Sequence, residues 1–200
     1  MIVVGLTGGM ACGKSFVAAA LAGMGCHVVE ADALGHDVLL PGGAAYSGVV
    51  GHFGDEILDA QGRIDRARLA TLVFSDPVQL AWLNGMVHPA VRALAEQRFH
   101  DIAAQDPRAI VIYVAAILVE TGSHRDFFRL IAVTCSPAQQ FERAMARPGA
   151  REDDVRARLA RQIPNSQKTG LADYVIDTSG TREETLRQTK IVFEELSSAS

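Results

Sequence analysis

The stretch GLTGGMACGKSF, residues 5–16, follows an apolar run at the amino terminus and precedes an alanine-rich segment. Within it, Gly8 to Ser15 match the spacing G-x-x-x-x-G-K-[ST]. Glycines at these places allow backbone N–H groups to turn inward around phosphate oxygens, and the positive N-terminus of a following helix favours an anion. The stretch therefore predicts a strand, a loop and a helix that together bind a nucleoside triphosphate.

Two side chains of this loop carry the expected chemistry. Lys14 reaches the β- and γ-phosphates, and the Ser15 hydroxyl is a ligand for Mg²⁺. A chance match in a glycine-rich turn is the alternative, but the apolar run before the loop and the helical pattern after it favour a working site. We assign the nucleotide contacts to the loop and its flanking residues: Thr7, Gly8, Gly9, Met10, Ala11, Cys12, Gly13, Lys14, Ser15 and Phe16.

Five short apolar runs do not alternate with polar residues, which is typical of parallel strands buried on both faces. They lie at residues 2–7, 27–29, 109–114, 130–134 and 174–176. Helical patterns separate them. We therefore predict an α/β fold in which a parallel sheet is sandwiched by helices and joined by right-handed crossovers.

Two segments are too long for simple connections. The first, residues 35–107, is helical between glycine and proline breaks; we interpret it as a helical insertion with a helix boundary at His88-Pro89. The second, residues 137–164, has the pattern of an arginine-rich helical hairpin and suits a mobile lid. The core of this single unit then comprises residues 1–34, 108–136 and 165–200.

Two carboxylates, Glu30 and Asp32, follow the second predicted strand. In open α/β sheets, ligands bind beyond the carboxyl ends of the strands. A carboxylate there can accept the proton of an attacking hydroxyl or help to hold Mg²⁺, which favours Asp32 as a functional residue. The alternative is that both residues only end the strand, with Asp32 capping the next helix.

Two arginines of the hairpin, Arg143 and Arg147, are four residues apart and are expected to share one helix face. Guanidinium groups stabilise the charge that spreads over a phosphoryl group in transfer, and a lid excludes water from it. The alternative is a solvated helix pair in which nearby carboxylates balance the arginines.

Composition excludes several classes. The chain has 200 residues, 48% of them apolar, and a net charge of −4, which argues against a general nucleic-acid binder. Its longest apolar run, residues 109–119, is too short to cross a bilayer. Three cysteines without CxxC spacing predict reduced thiols and a cytoplasmic location, and the six histidines show no metal-ligand spacing.

Several longer stretches together resemble one family. They are GLTGGMACGKS, EADALGHDVLLPGG, HFGDEILDAQGRIDRARLATLVFSDP, WLNGMVHPAVR, ILVETG, QQFERAMAR and LADYVIDTSG. Their order is that of the dephospho-CoA kinases, and the resemblance covers roughly residues 2–196. The stretch around His88 and the ADYVID near the end are far more specific to this family than the phosphate loop.

The resemblance implies a phosphate-loop kinase with a nucleotide core, a helical acceptor-binding insertion and a helical lid. It implies transfer of the γ-phosphate of ATP, with Mg²⁺, to the 3′-hydroxyl of dephospho-CoA. By the same resemblance Asp32 is the catalytic base and Arg143 a lid arginine that acts with Lys14. The remaining assignments that it implies are acceptor contacts by Arg66 and His88, and nucleotide contacts by Arg147 and Thr178.

Six positions depart from the family's usual residues, and we expect altered affinity rather than lost chemistry. They are Glu30 for an Asp, His36 for an Arg, Phe16 for a Thr, Ala116 for a Pro, Pro148 for an Asp and Thr178 for an Asn. Two other functions stay open at this point: a kinase of another small hydroxyl acceptor, such as a nucleoside or nucleotide, and an ATP-binding regulatory module with weakened catalysis. The sequence also leaves the oligomeric state open.

Overall fold

The computed structural model describes residues 1–199, which form two compact units. One unit combines Met1–Val29 with the chain from Ile102 onward, and it contains the phosphate loop. The other comprises Glu30–Asp101. Among the described residues, no helix is long and apolar enough to span a membrane.

A five-stranded sheet forms the centre of the fold. Its strands are β1 (Ile2–Gly8), β2 (His27–Glu30), β3 (Ile110–Val114), β4 (Arg129–Thr134) and β5 (Tyr174–Asp177). Their order across the sheet is β2-β3-β1-β4-β5, and β1 lies parallel to both β3 and β4, as β4 does to β5. The predicted strands are confirmed to within one residue at each end, and with them the predicted α/β fold.

Helices connect these strands. They are α1 (Lys14–Gly23), α2 (Ala31–Asp37), α3 (Tyr46–Phe53), α4 (Arg66–Phe74), α5 (Pro77–Gln105), α6 (Pro137–Met145), α7 (Glu152–Ala160), α8 (Asn165–Leu171) and α9 (Arg182–Ala199). The core is apolar because β1 is buried on both faces: Val4 and Leu6 are fully buried, and they cluster with Leu21 of α1 and Leu196 of α9. Burial of these strands fixes the position of the loop that follows β1.

The unit Glu30–Asp101 is mainly helical and has its own local interactions. The Asp65 carboxylate caps α4 by accepting hydrogen bonds from the backbone N–H groups of Ala67 and Arg68. The rings of His52 and Trp82 stack with their centroids 3.7 Å apart. The stacked rings join α3 to α5 within the unit.

The predicted helix boundary at His88-Pro89 is wrong, because α5 runs through both residues for 29 residues in all. Proline deletes the hydrogen bond from its own nitrogen to the carbonyl of Gly85, but strong helix formers follow it in the run Arg92-Ala93-Leu94-Ala95-Glu96 and continue the helix. A Cβ atom at Gly85 would meet no atom within 4 Å outside the helix's own backbone, so no other part of the chain crowds this turn.

The predicted arginine-rich hairpin forms as α6 and α7, and Ser136 caps α6 through the N–H of Gln139. However, α6 ends at Met145, so the expectation that Arg143 and Arg147 share one helix face is wrong. The reason is the sequence after Arg147: Pro148 disfavours helical geometry in the preceding residue. Gly149, with φ of 73°, then completes a turn in which the Ala150 N–H bonds the Arg147 carbonyl.

Gly8→Ala is predicted to destabilise the fold more than Gly25→Ala. A Cβ at Gly8 would lie 2.3 Å from the Val133 carbonyl oxygen, a backbone atom of β4 that cannot move aside. Gly25 also has a positive φ, 103°, but open space around it. In urea denaturation, we expect Gly8→Ala to lose about 1–3 kcal/mol more unfolding free energy than Gly25→Ala. Equal losses would show that the strand contact does not constrain the loop.

Candidate active site

The phosphate loop occupies the turn between β1 and α1. Gly13 has φ of 89° and Ala11 φ of 61°, and the Cys12 N–H bonds the Gly9 carbonyl at 3.3 Å. The Gly13 carbonyl then accepts the N–H groups of the first turn of α1, which starts the helix. The strand, loop and helix predicted from the sequence are therefore present.

Positive charge concentrates at this loop. The Lys14 ammonium donates to the carbonyl oxygens of Gly8 and Gly9, at 2.8 and 2.9 Å. Ser15 is exposed in the first turn of α1, and that turn contains no acidic residue. The partial positive charge of the helix N-terminus thus adds to that of the lysine, which suits an anionic ligand.

Two further glycines allow side chains to press directly on the loop. A Cβ at Gly9 would lie 2.4 Å from Nε2 of Gln140 and 2.7 Å from Oδ1 of Asn165. A Cβ at Gly13 would lie 3.2 Å from the Thr178 methyl group. Close contacts with distant parts of the chain therefore favour glycine at both positions.

Arg143 reaches the loop through Thr178. Its guanidinium donates to the hydroxyl of Thr178 at 2.8 Å and to the carbonyl of the same residue at 2.7 Å. The Thr178 hydroxyl in turn lies 3.0 Å from the Cys12 carbonyl, to which it donates. Threonine at this position thus orients the arginine toward the loop, and it accepts two of the five N–H donors that an arginine carries.

The crest of the loop is held by amide side chains that sequence analysis missed. Gln140 Nε2 donates to the Met10 carbonyl at 2.9 Å, and Gln162 Oε1 accepts the Met10 N–H at 2.8 Å. Asn165 Nδ2 lies 3.4 Å from both Gln140 Oε1 and Cys12 Sγ. These residues carry no charge and match no motif, so only the three-dimensional structure brings them to the loop.

Lys168 is another residue that sequence analysis missed, although lysines are rare in this chain. Its side chain is 1% exposed and lies 2.7 Å from a Glu120 carboxylate oxygen. It also donates to the Ala116 carbonyl at 2.6 Å, which accepts the Thr7 hydroxyl as well, at 3.2 Å. The turn after β3 is thereby attached to the residue that enters the phosphate loop.

Cys12 turns its side chain away from the mouth of the loop. It is fully buried, and its Sγ lies 3.5 Å from Sγ of Cys135. Burial, followed by the neighbouring Cys12, raises the pKa of Cys135 to about 12, so this thiol keeps its proton at neutral pH. The side chain of Cys12 thus belongs to the core, while its carbonyl accepts the Thr178 hydroxyl.

The residues expected on the acceptor side lie in the unit Glu30–Asp101. Asp32 is exposed in the first turn of α2, two residues after the end of β2. It does not cap that helix, because the N-cap residue is Glu30. Arg66 is the exposed first residue of α4, and His88 is exposed on α5.

The side chains of Arg147 and Phe16, both predicted to contact the nucleotide, lie outside the hydrogen bonds that surround the loop. Arg147 is exposed in the turn after α6. The centroid of the Phe16 ring lies 5.8 Å from the Arg182 guanidinium, within the range of a cation–π contact. A separate cavity of about 330 Å³ is lined by Met24, Arg108 and Ile110, at the amino-terminal ends of the strands. The phosphate loop follows the carboxyl-terminal end of β1, so this cavity takes no part in the site.

Comparison with known proteins identifies the family. The sequence profile of the dephospho-CoA kinases matches residues 2–184. The chain belongs to the dephospho-CoA kinase family. The resemblance seen in the sequence is thus confirmed.

Relatives match over almost the whole chain. The dephospho-CoA kinase of Thermobifida fusca (strain YX) is 42% identical over 197 residues, covering 98% of this chain and 96% of the relative. The crystal structure of TT1252 from Thermus thermophilus is similar with a TM-score of 0.82 and 32% identity, covering 98% and 97% of the two chains. A dephospho-CoA kinase from Campylobacter jejuni has a TM-score of 0.68 with 20% identity, covering 98% of this chain and 97% of that one, and supports the fold alone.

Lys168→Met is predicted to destabilise this member of the dephospho-CoA kinase family, because it removes the buried ammonium that pairs with the Glu120 carboxylate and donates to the Ala116 carbonyl. We expect a loss of about 3 kcal/mol in the free energy of unfolding, measured by urea denaturation. Lys190→Met is the matched control: Lys190 pairs with Glu194 at 3.7 Å with both side chains more than half exposed. Its loss should stay below about 1 kcal/mol. Similar losses for both variants would contradict a supporting role for Lys168.

Proposed function

We propose that this chain transfers the γ-phosphate of ATP to the 3′-hydroxyl of the ribose of dephospho-CoA, which gives coenzyme A and ADP in the last step of coenzyme A synthesis. The observation that carries this proposal is a phosphate loop with Lys14 at its mouth and Arg143 fixed beside it, in a chain that matches the dephospho-CoA kinase profile over residues 2–184.

The donor site consists of the loop and its charges. Backbone N–H groups of the loop and the first turn of α1 surround the phosphates, apart from those of Met10 and Cys12, which are bonded within the protein. The Lys14 ammonium neutralises charge on the β- and γ-phosphates. The carbonyls of Gly8 and Gly9 hold this ammonium at the loop before the nucleotide arrives. Less reorganisation is then needed when ATP binds.

The acceptor site uses Asp32, Arg66 and His88. Asp32 orients the 3′-hydroxyl and takes its proton as the new bond from the 3′-oxygen to the γ-phosphorus forms. The bond between that phosphorus and the bridging oxygen breaks, and ADP leaves with the electron pair. Arg66 and His88, both exposed, contact the acceptor molecule.

The lid, residues 137–164, supplies cationic donors and excludes water from the reacting groups. Arg143 keeps N–H donors beyond the two that Thr178 accepts, and these stabilise the charge on the transferring phosphoryl group. Arg147 adds a second cation from the turn after α6. The helical insertion, residues 35–107, carries Arg66 and His88, whereas Asp32 precedes it in the sequence.

Mg²⁺ fits this donor site as a partner of the nucleotide. Within residues 1–199, no three His, Cys, Asp or Glu side chains form a group that could hold a metal ion. The exposed Ser15 hydroxyl is nevertheless available, and Mg²⁺ is commonly held by few protein oxygens together with substrate phosphates. When bound, the ion neutralises charge on the β- and γ-phosphate oxygens.

We also place the protein in the cytoplasm. This location rests on Cys12, Cys26 and Cys135, which are all free and buried. Reduced thiols are typical of proteins in that compartment.

Asp32→Asn is predicted to lower kcat by roughly 10²–10⁴-fold with little change in the KM for ATP, because it removes a proton acceptor and not a phosphate contact. The matched control is Asp37→Asn, at the exposed end of the same helix α2, which should retain near-normal kcat. Steady-state kinetics at saturating ATP would measure both variants. Full turnover by Asp32→Asn would remove this residue from the role of base.

ADP release in a coupled assay with a panel of acceptors distinguishes the candidate functions. We expect acceptor-dependent release with dephospho-CoA and none above background with nucleosides or nucleotides. Lys14→Ala should abolish it, since the loop would lose the ammonium that neutralises the phosphates. Preference for another acceptor would favour a different small-molecule kinase, and ATP binding without acceptor-dependent release would favour a regulatory module.

A further inference from the structure

We propose that Gln140 and Gln162 are positioning residues of the donor site, which hold Met10 from both sides and fix the crest of the phosphate loop in the shape that receives ATP. This inference rests on the proposed use of the loop for ATP binding. It concerns two neutral side chains whose contacts with the loop are hydrogen bonds to the backbone of Met10.

The two contacts are complementary. Gln162 presents its carbonyl oxygen to the Met10 N–H at 2.8 Å, and Gln140 presents its amide nitrogen to the Met10 carbonyl at 2.9 Å. Both backbone polar groups of one residue are therefore satisfied by side chains 130 and 152 positions away in the sequence. We call this arrangement the amide clamp, defined by Gln140, Met10 and Gln162.

Further contacts hold the clamp in place. Asn165 Nδ2 lies 3.4 Å from Gln140 Oε1, which leaves the nitrogen of Gln140 directed at Met10. Gly9 makes the close approach possible, since a Cβ there would lie 2.4 Å from Gln140 Nε2 and 2.7 Å from Asn165 Oδ1. The turn of the loop does not by itself require Gln140 and Asn165 to pack against Gly9.

The clamp acts next to a strained residue. Ala11, which directly follows Met10, has φ of 61° and is the one non-glycine residue with a positive φ among residues 1–199. An L-residue in this conformation costs about 1–2 kcal/mol, and such strain persists only where the surroundings enforce it. The hydrogen bonds to both sides of Met10 supply that restraint immediately before the strained peptide.

The clamp also connects the loop to the lid. Gln140 lies on α6, three residues before Arg143, and Gln162 follows α7. The hairpin that carries Arg143 therefore contacts the loop at a second place, through neutral groups. Because the clamp takes both the N–H and the carbonyl of Met10, the crest of the loop is held in one shape before the nucleotide binds, and the loop is preorganised for it.

Two isosteric substitutions separate geometry from charge. Gln162→Glu and Gln140→Glu add the same negative charge beside the same residue, but they differ in hydrogen bonding. Gln162→Glu keeps an oxygen that accepts the Met10 N–H, whereas Gln140→Glu replaces a donor with an oxygen that faces the Met10 carbonyl. We expect Gln140→Glu to weaken binding of Mg²⁺ with β,γ-methylene-ATP at least about 10-fold more than Gln162→Glu, measured by titration calorimetry.

Gln139→Glu is the matched control on the same helix. Gln139 Nε2 donates to the Ser179 carbonyl at 2.8 Å, away from Met10, so this variant has the same change of charge and the same loss of a donor. A purely structural role of Gln140 would make Gln139→Glu and Gln140→Glu equal in nucleotide affinity. Melting temperatures of all three variants identify any general loss of stability.

A second measurement does not depend on how Gln140→Glu folds. Hydrogen exchange of the Met10 amide in the nucleotide-free enzyme should be slow in the natural sequence and in Gln162→Glu, but fast in Gln162→Leu, which lacks an acceptor. Equal exchange in Gln162→Leu, or equal nucleotide affinity of the three glutamate variants, would overturn the proposal. Neither readout requires phosphate transfer to dephospho-CoA, so a failure of the clamp is distinct from a failure of the proposed function.

Discussion

The close approach of Gly8 to β4 is the constraint on which the rest of the structure depends. No side chain fits there, because a Cβ would lie 2.3 Å from the Val133 carbonyl oxygen. This contact fixes the path of the chain after β1. The loop then turns back over the end of the sheet to Gly13, the N-cap residue of α1. At each glycine of the loop a different neighbour limits the space for a side chain. The neighbour is β4 at Gly8, Gln140 and Asn165 at Gly9, and Thr178 at Gly13.

The donor site is built from segments that are far apart in the sequence. The loop supplies backbone groups and Lys14, α6 supplies Arg143 and Gln140, and the chain after β5 supplies Thr178. Most of their contacts are hydrogen bonds to loop carbonyls, so the charged groups are held by neutral ones. The residues proposed to receive the acceptor belong to the other compact unit.

Much of this fold is predictable from the sequence, because apolar runs without alternation are typical of buried parallel strands, and glycine spacing predicts the loop. Two local expectations were wrong for physical reasons. The helix boundary expected at Pro89 is absent because α5 continues through it, and Arg147 is not on α6 because Pro148 ends that helix first. The site was less predictable. Gln162 and Lys168 come to the site only through tertiary packing. Neither residue belongs to a sequence motif, so the sequence alone does not predict their contacts.

The central claim is that the loop donates a phosphoryl group to the ribose of dephospho-CoA. The most direct measurement is ³¹P NMR of the products formed from ATP, Mg²⁺ and dephospho-CoA. The account predicts ADP together with one new phosphomonoester resonance, coupled to the 3′ proton of the ribose, in equal amounts. Inorganic phosphate in place of that resonance, or a monoester at another hydroxyl, would contradict it.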